Sequence, residues 1–137
     1  VLLPQTAEYA LRAVLHIAAH DEPVRVADIA SELQVPQNYL SKTLHRLARA
    51  GVLASTRGPA GGFRLGVAAD RLTLQRIVSM FATASGRRCL LGHGICGDTP
   101  VCAVHTRWAP VATQMRDFYE TTTVADLLPV VSPPRGT

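Results

Sequence analysis

The residues best placed to do chemistry in this chain are three cysteines and a histidine. They are Cys89, Cys96, Cys102 and His105, spaced Cys-x6-Cys-x5-Cys-x2-His, and these are all the cysteines there are. Thiolates ligate soft or borderline metals and an imidazole can complete a mixed site, so the group points to metal or redox chemistry. An odd cysteine count argues against a closed disulfide framework. Structural zinc usually shows paired ligands with two to four residues between them, and only the step from Cys102 to His105 is that short. Iron–sulfur clusters accept wider spacing, and mixed Cys/His ligation of a 2Fe-2S centre is known chemistry. Gly92, Gly94 and Gly97 would let the chain wrap around inorganic sulfide and offer it amide donors. Structural zinc in the same pocket and three free thiols on a loop are the competing readings. His93 lies in the same stretch and is a minor candidate, whereas His16 and His20 fit no ligand pattern. A Cys–His hydrolase would need an orienting third group and an oxyanion site, and nothing supplies them, so an enzyme is not expected.

A second group of residues suits nucleic acid. No acidic residue occurs between Glu32 and Asp70, while Lys42, Arg46, Arg49, Arg57 and Arg64 all fall inside that window. The overall balance is modest by comparison, a net charge of +4 and a pI near 9.4. A basic run is often only a solvated face, so what matters is the set of elements that carries it.

Those elements are readable. A helix fits 6–19, with Thr6 as its cap and Leu11, Val14, Leu15 and Ala18 as its buried stripe. A short helix fits 26–33, with Ile29, Ala30 and Leu33 inward, and Gln34-Val35-Pro36 makes a tight turn. Pro36 then opens a helix over 37–50, with Leu40, Leu44 and Leu47 inward and Gly51 as its terminator. Two helices joined by so short a turn form a helix-turn-helix. Strands over 52–56 and 62–66 flank Arg57-Gly58-Pro59-Ala60-Gly61, a tight-turn composition, and a hairpin in that place is a wing. Thr73 can cap a further helix whose apolar positions are Leu74, Ile77, Val78 and Phe81. Residues 82–101, with five glycines or prolines and no sustained period, read as a loop. Beyond it Val104, Trp108, Val111, Met115 and Phe118 are spaced 4, 3, 4, 3, the stripe of a helix that packs on a partner helix. Pro110 predicts a kink or a fresh helical start near 106–109. A last turn is expected over 123–128, and 131–137 reads as a frayed tail.

The fold class is therefore α+β and mostly helical. A winged helix-turn-helix domain spans 1–81, a cysteine-bearing loop 82–101, a long dimerisation helix with a final turn 102–128, and a tail 129–137. On the second helix of the pair Gln37, Asn38 and Ser41 suit base edges, while Lys42 and Arg46 suit phosphates; His45 and Arg49 share the exposed face. In the wing, Arg57 suits a narrow minor groove, with Gly58 and Arg64 beside it. A chain that is 47% hydrophobic and 18% charged can bury a core, so disorder is excluded for most of it. No window approaches the ~18 uninterrupted apolar residues of a membrane span. The opening Val-Leu-Leu-Pro is too short and uncharged for a signal peptide, and a start without Met is what trimming would leave. Clustered thiols without an export signal point to a reducing cytosol.

Several segments taken together resemble one family. Glu8-Tyr9-Ala10-Leu11-Arg12, Pro36-Gln37-Asn38-Tyr39-Leu40 and Ala50-Gly51-Val52-Leu53 are three of them. The most specific is the wing, Arg57-Gly58-Pro59-Ala60-Gly61-Gly62-Phe63-Arg64-Leu65. With the three-cysteine loop and the Thr-Val-Ala-Asp-Leu ending at 123–127, they resemble the Rrf-type family of bacterial regulators over 6–128. The resemblance implies a homodimeric winged-helix transcription factor whose DNA affinity is controlled by an iron–sulfur cluster sensing redox state, nitric oxide or iron–sulfur status. It implies Cys89, Cys96 and Cys102 as cluster ligands, with His105 as the fourth ligand of a 2Fe-2S cluster. Glu8 stands where other members offer a partner-subunit carboxylate to a 4Fe-4S cluster, the alternative. A two-fold dimer implies a pseudo-palindromic operator on double-stranded DNA. The reading from a different class is a zinc- or thiol-based interaction or redox module on the same scaffold that does not bind DNA.

Overall fold

The computed structural model describes residues 3–82 and 105–128. In chain order these form α1 (Gln5–Ala18), α2 (Val26–Leu33), α3 (Gln37–Arg49), β1 (Leu53–Thr56), β2 (Gly62–Leu65), a 3-10 turn (Ala69–Arg71), α4 (Leu74–Val78), α5 (His105–Thr121) and α6 (Val124–Leu127).

Helix α1 is the hub, touching α2, α3, α4, α6 and β2. Its fully buried face is Ala7, Ala10, Ala13, Val14 and Ile17. The expected stripe of Leu11, Val14, Leu15 and Ala18 is thus displaced, and only Val14 is shared. Periodicity selects the bulkiest residues, but a helix enclosed on several sides needs small ones where its neighbours come closest. Leu11, Leu15 and Ala18 lie half-buried against the core. Thr6 does not cap α1 either, because Pro4 holds the N-cap position and no side chain caps the end.

Helices α2 and α3 begin where expected. Between them Gln34 takes the left-handed conformation at φ +58, and the Val35 amide donates to the Ala30 carbonyl at 3.0 Å, which sends the chain sharply into α3. Ile29, Leu33, Leu40, Leu44 and Leu47 meet in the core. Gly51 ends the second helix at φ +84, the role its composition predicted.

Strands β1 and β2 pair antiparallel, Leu53 with Leu65 through Thr56 with Gly62. This hairpin gains a further backbone partner, close to its turn, that no local pattern signals. Val24 bridges to Phe63 through two backbone hydrogen bonds of 2.9 and 2.8 Å, so the chain before α2 supports the wing.

Thr73 caps α4 as expected, its Oγ1 accepting from the Arg76 amide at 3.3 Å. The helix is only five residues long, and Phe81 lies beyond its end. Helix α5 runs from His105 through Pro110 to Thr121 without a break, so the kink or fresh start expected near 106–109 does not interrupt it. Pro110, lacking an N–H, forfeits the bond that position would make to the Thr106 carbonyl, and the helix continues past it. The chain then returns to the body. The Leu74 amide donates to the Thr122 carbonyl and the Val124 amide to the Leu72 carbonyl, each at 2.9 Å. Thr123 and Asp126 cap α6 reciprocally, and Val124 joins the same core as α1–α3.

Candidate nucleic-acid interface and the cysteine segment

Helix α3 turns Leu40, Thr43, Leu44 and Leu47 inward. Gln37, Asn38, Lys42, His45, Arg46 and Arg49 are left exposed and Ser41 half-buried, as the 3.6-residue period requires. Asn38 turns its Oδ1 back to the Tyr39 amide at 3.0 Å. The His45 Nδ1 bonds the Ser41 carbonyl at 2.8 Å, and its ring meets the buried Phe63 ring edge-on at a centroid distance of 5.5 Å. That contact sets the spacing between α3 and the wing.

At the wing, Gly58 (φ +99) and the bond from the Gly61 amide to the Gly58 carbonyl, 2.9 Å, make a tight turn with Pro59 at its second position. Arg57 and Gly58 are exposed at the tip, and Arg64 is exposed on β2. The Arg25 guanidinium, from the residue that precedes α2, donates to the Pro59 carbonyl. This tie spans 34 residues of sequence, and no motif pointed to it.

Arg46 differs from the other cations of the face. Its guanidinium donates to the Met80 carbonyl at 2.6 Å and lies 4.6 Å from the centroid of the Phe81 ring. Arg76 of α4 makes a parallel tie to the Ala50 carbonyl at 3.0 Å. Both follow the rule that cations favour helix C-termini.

Cys89, Cys96, Cys102 and Val104 lie outside the described residues; His105 is the first residue of α5. Among the described residues no three His, Cys, Asp or Glu side chains group so as to hold a metal. Glu8, on the first turn of α1, is exposed and pairs with Arg12 at 3.9 Å. On α5, Ala112 and Tyr119 are buried. Tyr119 packs with Ala7, Leu74 and Val78, and burial pushes its hydroxyl pKa up. The predicted stripe falls elsewhere on this helix: Val111 and Phe118 remain 45% and 50% exposed, with Trp108 and Met115 half-buried. No helix among the described residues is long and apolar enough to cross a membrane.

Away from this face, His16 and His20 meet at the end of α1 with their rings tilted, centroids 4.7 Å apart. Burial, and secondly repulsion from His20, hold the His16 pKa below its ordinary value, with Glu32 and Asp28 opposing.

A helix-turn-helix with an acid-free cationic face, followed by a braced hairpin with arginine at its tip, defines a winged-helix DNA-binding protein. The chain belongs to the Rrf2 family, described as an iron-dependent transcriptional regulator, which it matches over residues 3–129. Its members are regulators of transcription and not enzymes. A candidate HTH-type transcriptional regulator of Aquifex aeolicus is 35% identical over 133 residues, covering 93% of this chain and 92% of that protein. The HTH-type transcriptional regulator IscR of Vibrio campbellii is 30% identical over 128 residues, covering 92% and 76%. Among solved structures, CymR, the global cysteine regulator of B. subtilis, has the same fold with a TM-score of 0.77 at 21% identity, covering 93% of this chain and 95% of that one. T. potens IscR follows at 0.72 and 19%, covering 93% and 85%.

Proposed function

We propose that this DNA-binding regulator is a cytoplasmic homodimer whose operator affinity is set by an iron–sulfur cluster held by Cys89, Cys96, Cys102 and His105. The observation that carries this reading is the donor set itself. Three thiols and one imidazole, the last opening α5, occur in a chain of an iron-dependent regulator family. Soft thiolates with one nitrogen donor fit a 2Fe-2S centre; a carboxylate from the partner's Glu8 with a 4Fe-4S centre is the alternative. Such a cluster, when bound, supplies a redox- and ligand-responsive group, and a histidine ligand makes its potential depend on pH. Redox state, nitric oxide and iron–sulfur supply are the signals that chemistry suits.

The chain's own residues do the reading of DNA. Gln37, Asn38 and Ser41, near the start of α3, face base edges in the major groove, and Lys42 faces phosphate. Arg57, with Gly58 allowing close approach and Arg64 behind it, enters the flanking minor groove. The dimer forms along Val104, Trp108, Val111, Met115 and Phe118, and its two-fold axis calls for a pseudo-palindromic operator. Support for this seam comes from the half-exposed Val111 and Phe118 on a helix whose other face is already packed.

Absorption and Mössbauer spectra of the anaerobically purified protein, followed by DNA titration with and without the cluster over a salt series, test the proposal. Iron and sulfide in equal amounts, lost in a triple Cys→Ala variant, are expected, with affinity falling steeply as salt rises. Zinc in place of iron, or full iron and sulfide retention without the cysteines, refutes the cluster. His105→Ala with unchanged spectrum and cluster content excludes His105 and leaves Glu8.

A further inference from the structure

The C-terminal end of α3 is held by the stretch of chain that leads into the cysteine segment. Met80 and Phe81 follow α4 after its C-cap Ser79 and are turned back on it. The Met80 amide bonds the Ile77 carbonyl at 3.3 Å, and the Phe81 and Ala82 amides bond the Val78 carbonyl at 3.0 and 2.9 Å. In sequence, Cys89 lies seven residues beyond Ala82. The Arg46 guanidinium holds this stretch at two points, by its bond to the Met80 carbonyl and by its stacking on Phe81. The neighbouring tie, Arg76 to Ala50, joins α4 itself to the end of α3. The two ties differ in what they grip. Arg76 sits on a helix whose Leu74, Ile77 and Val78 are buried, whereas Met80 and Phe81 are half-buried.

We infer that Arg46 is a positioning residue that transmits the state of the cysteine segment to the DNA-reading helix through the Met80 carbonyl and the Phe81 ring. The inference rests on the cluster reading above. A guanidinium is a planar fork whose hydrogen bond and ring stacking depend on orientation. A shift of residues 80–82 therefore either carries Arg46, and the end of α3, along with it or breaks the contact. When latched, the charge of Arg46 is drawn toward Phe81 and α3 is held at its C-terminal end. When released, the same side chain is free to reach a phosphate. Both the placement of α3 and its outward charge thus differ between two arrangements, which is what a linked equilibrium needs.

If Arg46 were only a phosphate contact, its removal would weaken DNA binding equally in both states of the protein, and Phe81 would be irrelevant. The test compares the full chain with Phe81→Leu, Arg46→Lys and Arg46→Gln, each purified anaerobically. Operator affinity is measured with the cluster and after its removal by chelation. Hydrogen exchange is followed on the cluster-free proteins. Phe81→Leu keeps an apolar side chain, and Arg46→Lys keeps the charge while losing the planar fork. The ratio of the two affinities is expected to shrink by about fivefold or more in all three variants. In the cluster-free proteins, amides at 48–51 and 79–82 should exchange faster than in wild type. A large wild-type ratio that survives in Phe81→Leu and Arg46→Lys, with exchange unchanged, overturns the inference alone. A wild-type ratio of one removes the cluster control and this inference with it.

Discussion

Gly62→Ala should damage this protein far more than its single methyl group suggests. Gly62 opens β2 at φ +150, where side-chain-bearing residues are rarely found. A Cβ there would lie 2.5 Å from the Val24 carbonyl oxygen, 2.6 Å from its carbon and 3.0 Å from its nitrogen. All three are backbone atoms, so no flexible side chain can move aside. Val24 must withdraw, and with it go the two hydrogen bonds to Phe63 that brace the wing. Backbone strain of about 1–3 kcal/mol and about 1 kcal/mol for each lost bond sum to about 3–5 kcal/mol. Against a typical domain stability of about 5–15 kcal/mol, that is a large share. Thermal unfolding should shift down by about 10–20 °C for a chain of this size. Gly58→Ala is the matched control. Its φ of +99 is also unfavourable, but no atom lies within 4 Å of the new methyl. It should lose only the backbone contribution, about 1–2 kcal/mol. A Gly62→Ala protein that melts within about 3 °C of wild type, or together with Gly58→Ala, would refute the reasoning that the Val24 bridge braces the wing.

Other consequences are as direct. Val111→Asp should leave the fold intact by circular dichroism, because the residue is 45% exposed. In the proposed seam the carboxylate would be buried at a cost of several kcal/mol, so sedimentation should show monomer; an unchanged dimer refutes that placement. Arg57→Ala should lose discrimination between operator and random DNA by about tenfold, whereas Lys42→Ala should weaken both alike and lower the salt slope by about one. Equal discrimination in Arg57→Ala and wild type would take the wing tip out of the groove. The pKa of His16 is lowered in the folded chain, first by burial and then by His20, so below its ordinary value near 6.5 the unfolded chain binds the extra proton more readily. Its contribution to stability is therefore present above that pH and is lost as pH falls through the folded value. Denaturant titrations should show this loss in wild type and a flatter profile in His16→Gln; matching profiles would remove His16 from the account.

Much of the scaffold was legible before any coordinates. The bounds of α2 and α3, the terminating Gly51, the Thr73 cap and the hairpin around Arg57 all depend on residues within a turn of one another. Period, capping and turn chemistry act over that range. The cationic, acid-free face of α3 was legible for the same reason, since the 3.6-residue period decides which side chains oppose the apolar stripe. The cysteine spacing suggested metal chemistry directly from donor type. What local pattern did not contain was who meets whom across the fold. The alanine face of α1 answers to helices packed on several sides, and a periodicity reading weighted by bulk picked Leu11 and Leu15 instead. The Val24 bridge to Phe63, the Arg25 brace on Pro59, the Arg46 hold on Met80 and Phe81, and Val124 in the core all join distant stretches of chain. Side-chain reach and backbone pairing between such stretches exist only once the helices have packed, so tertiary structure alone decided them.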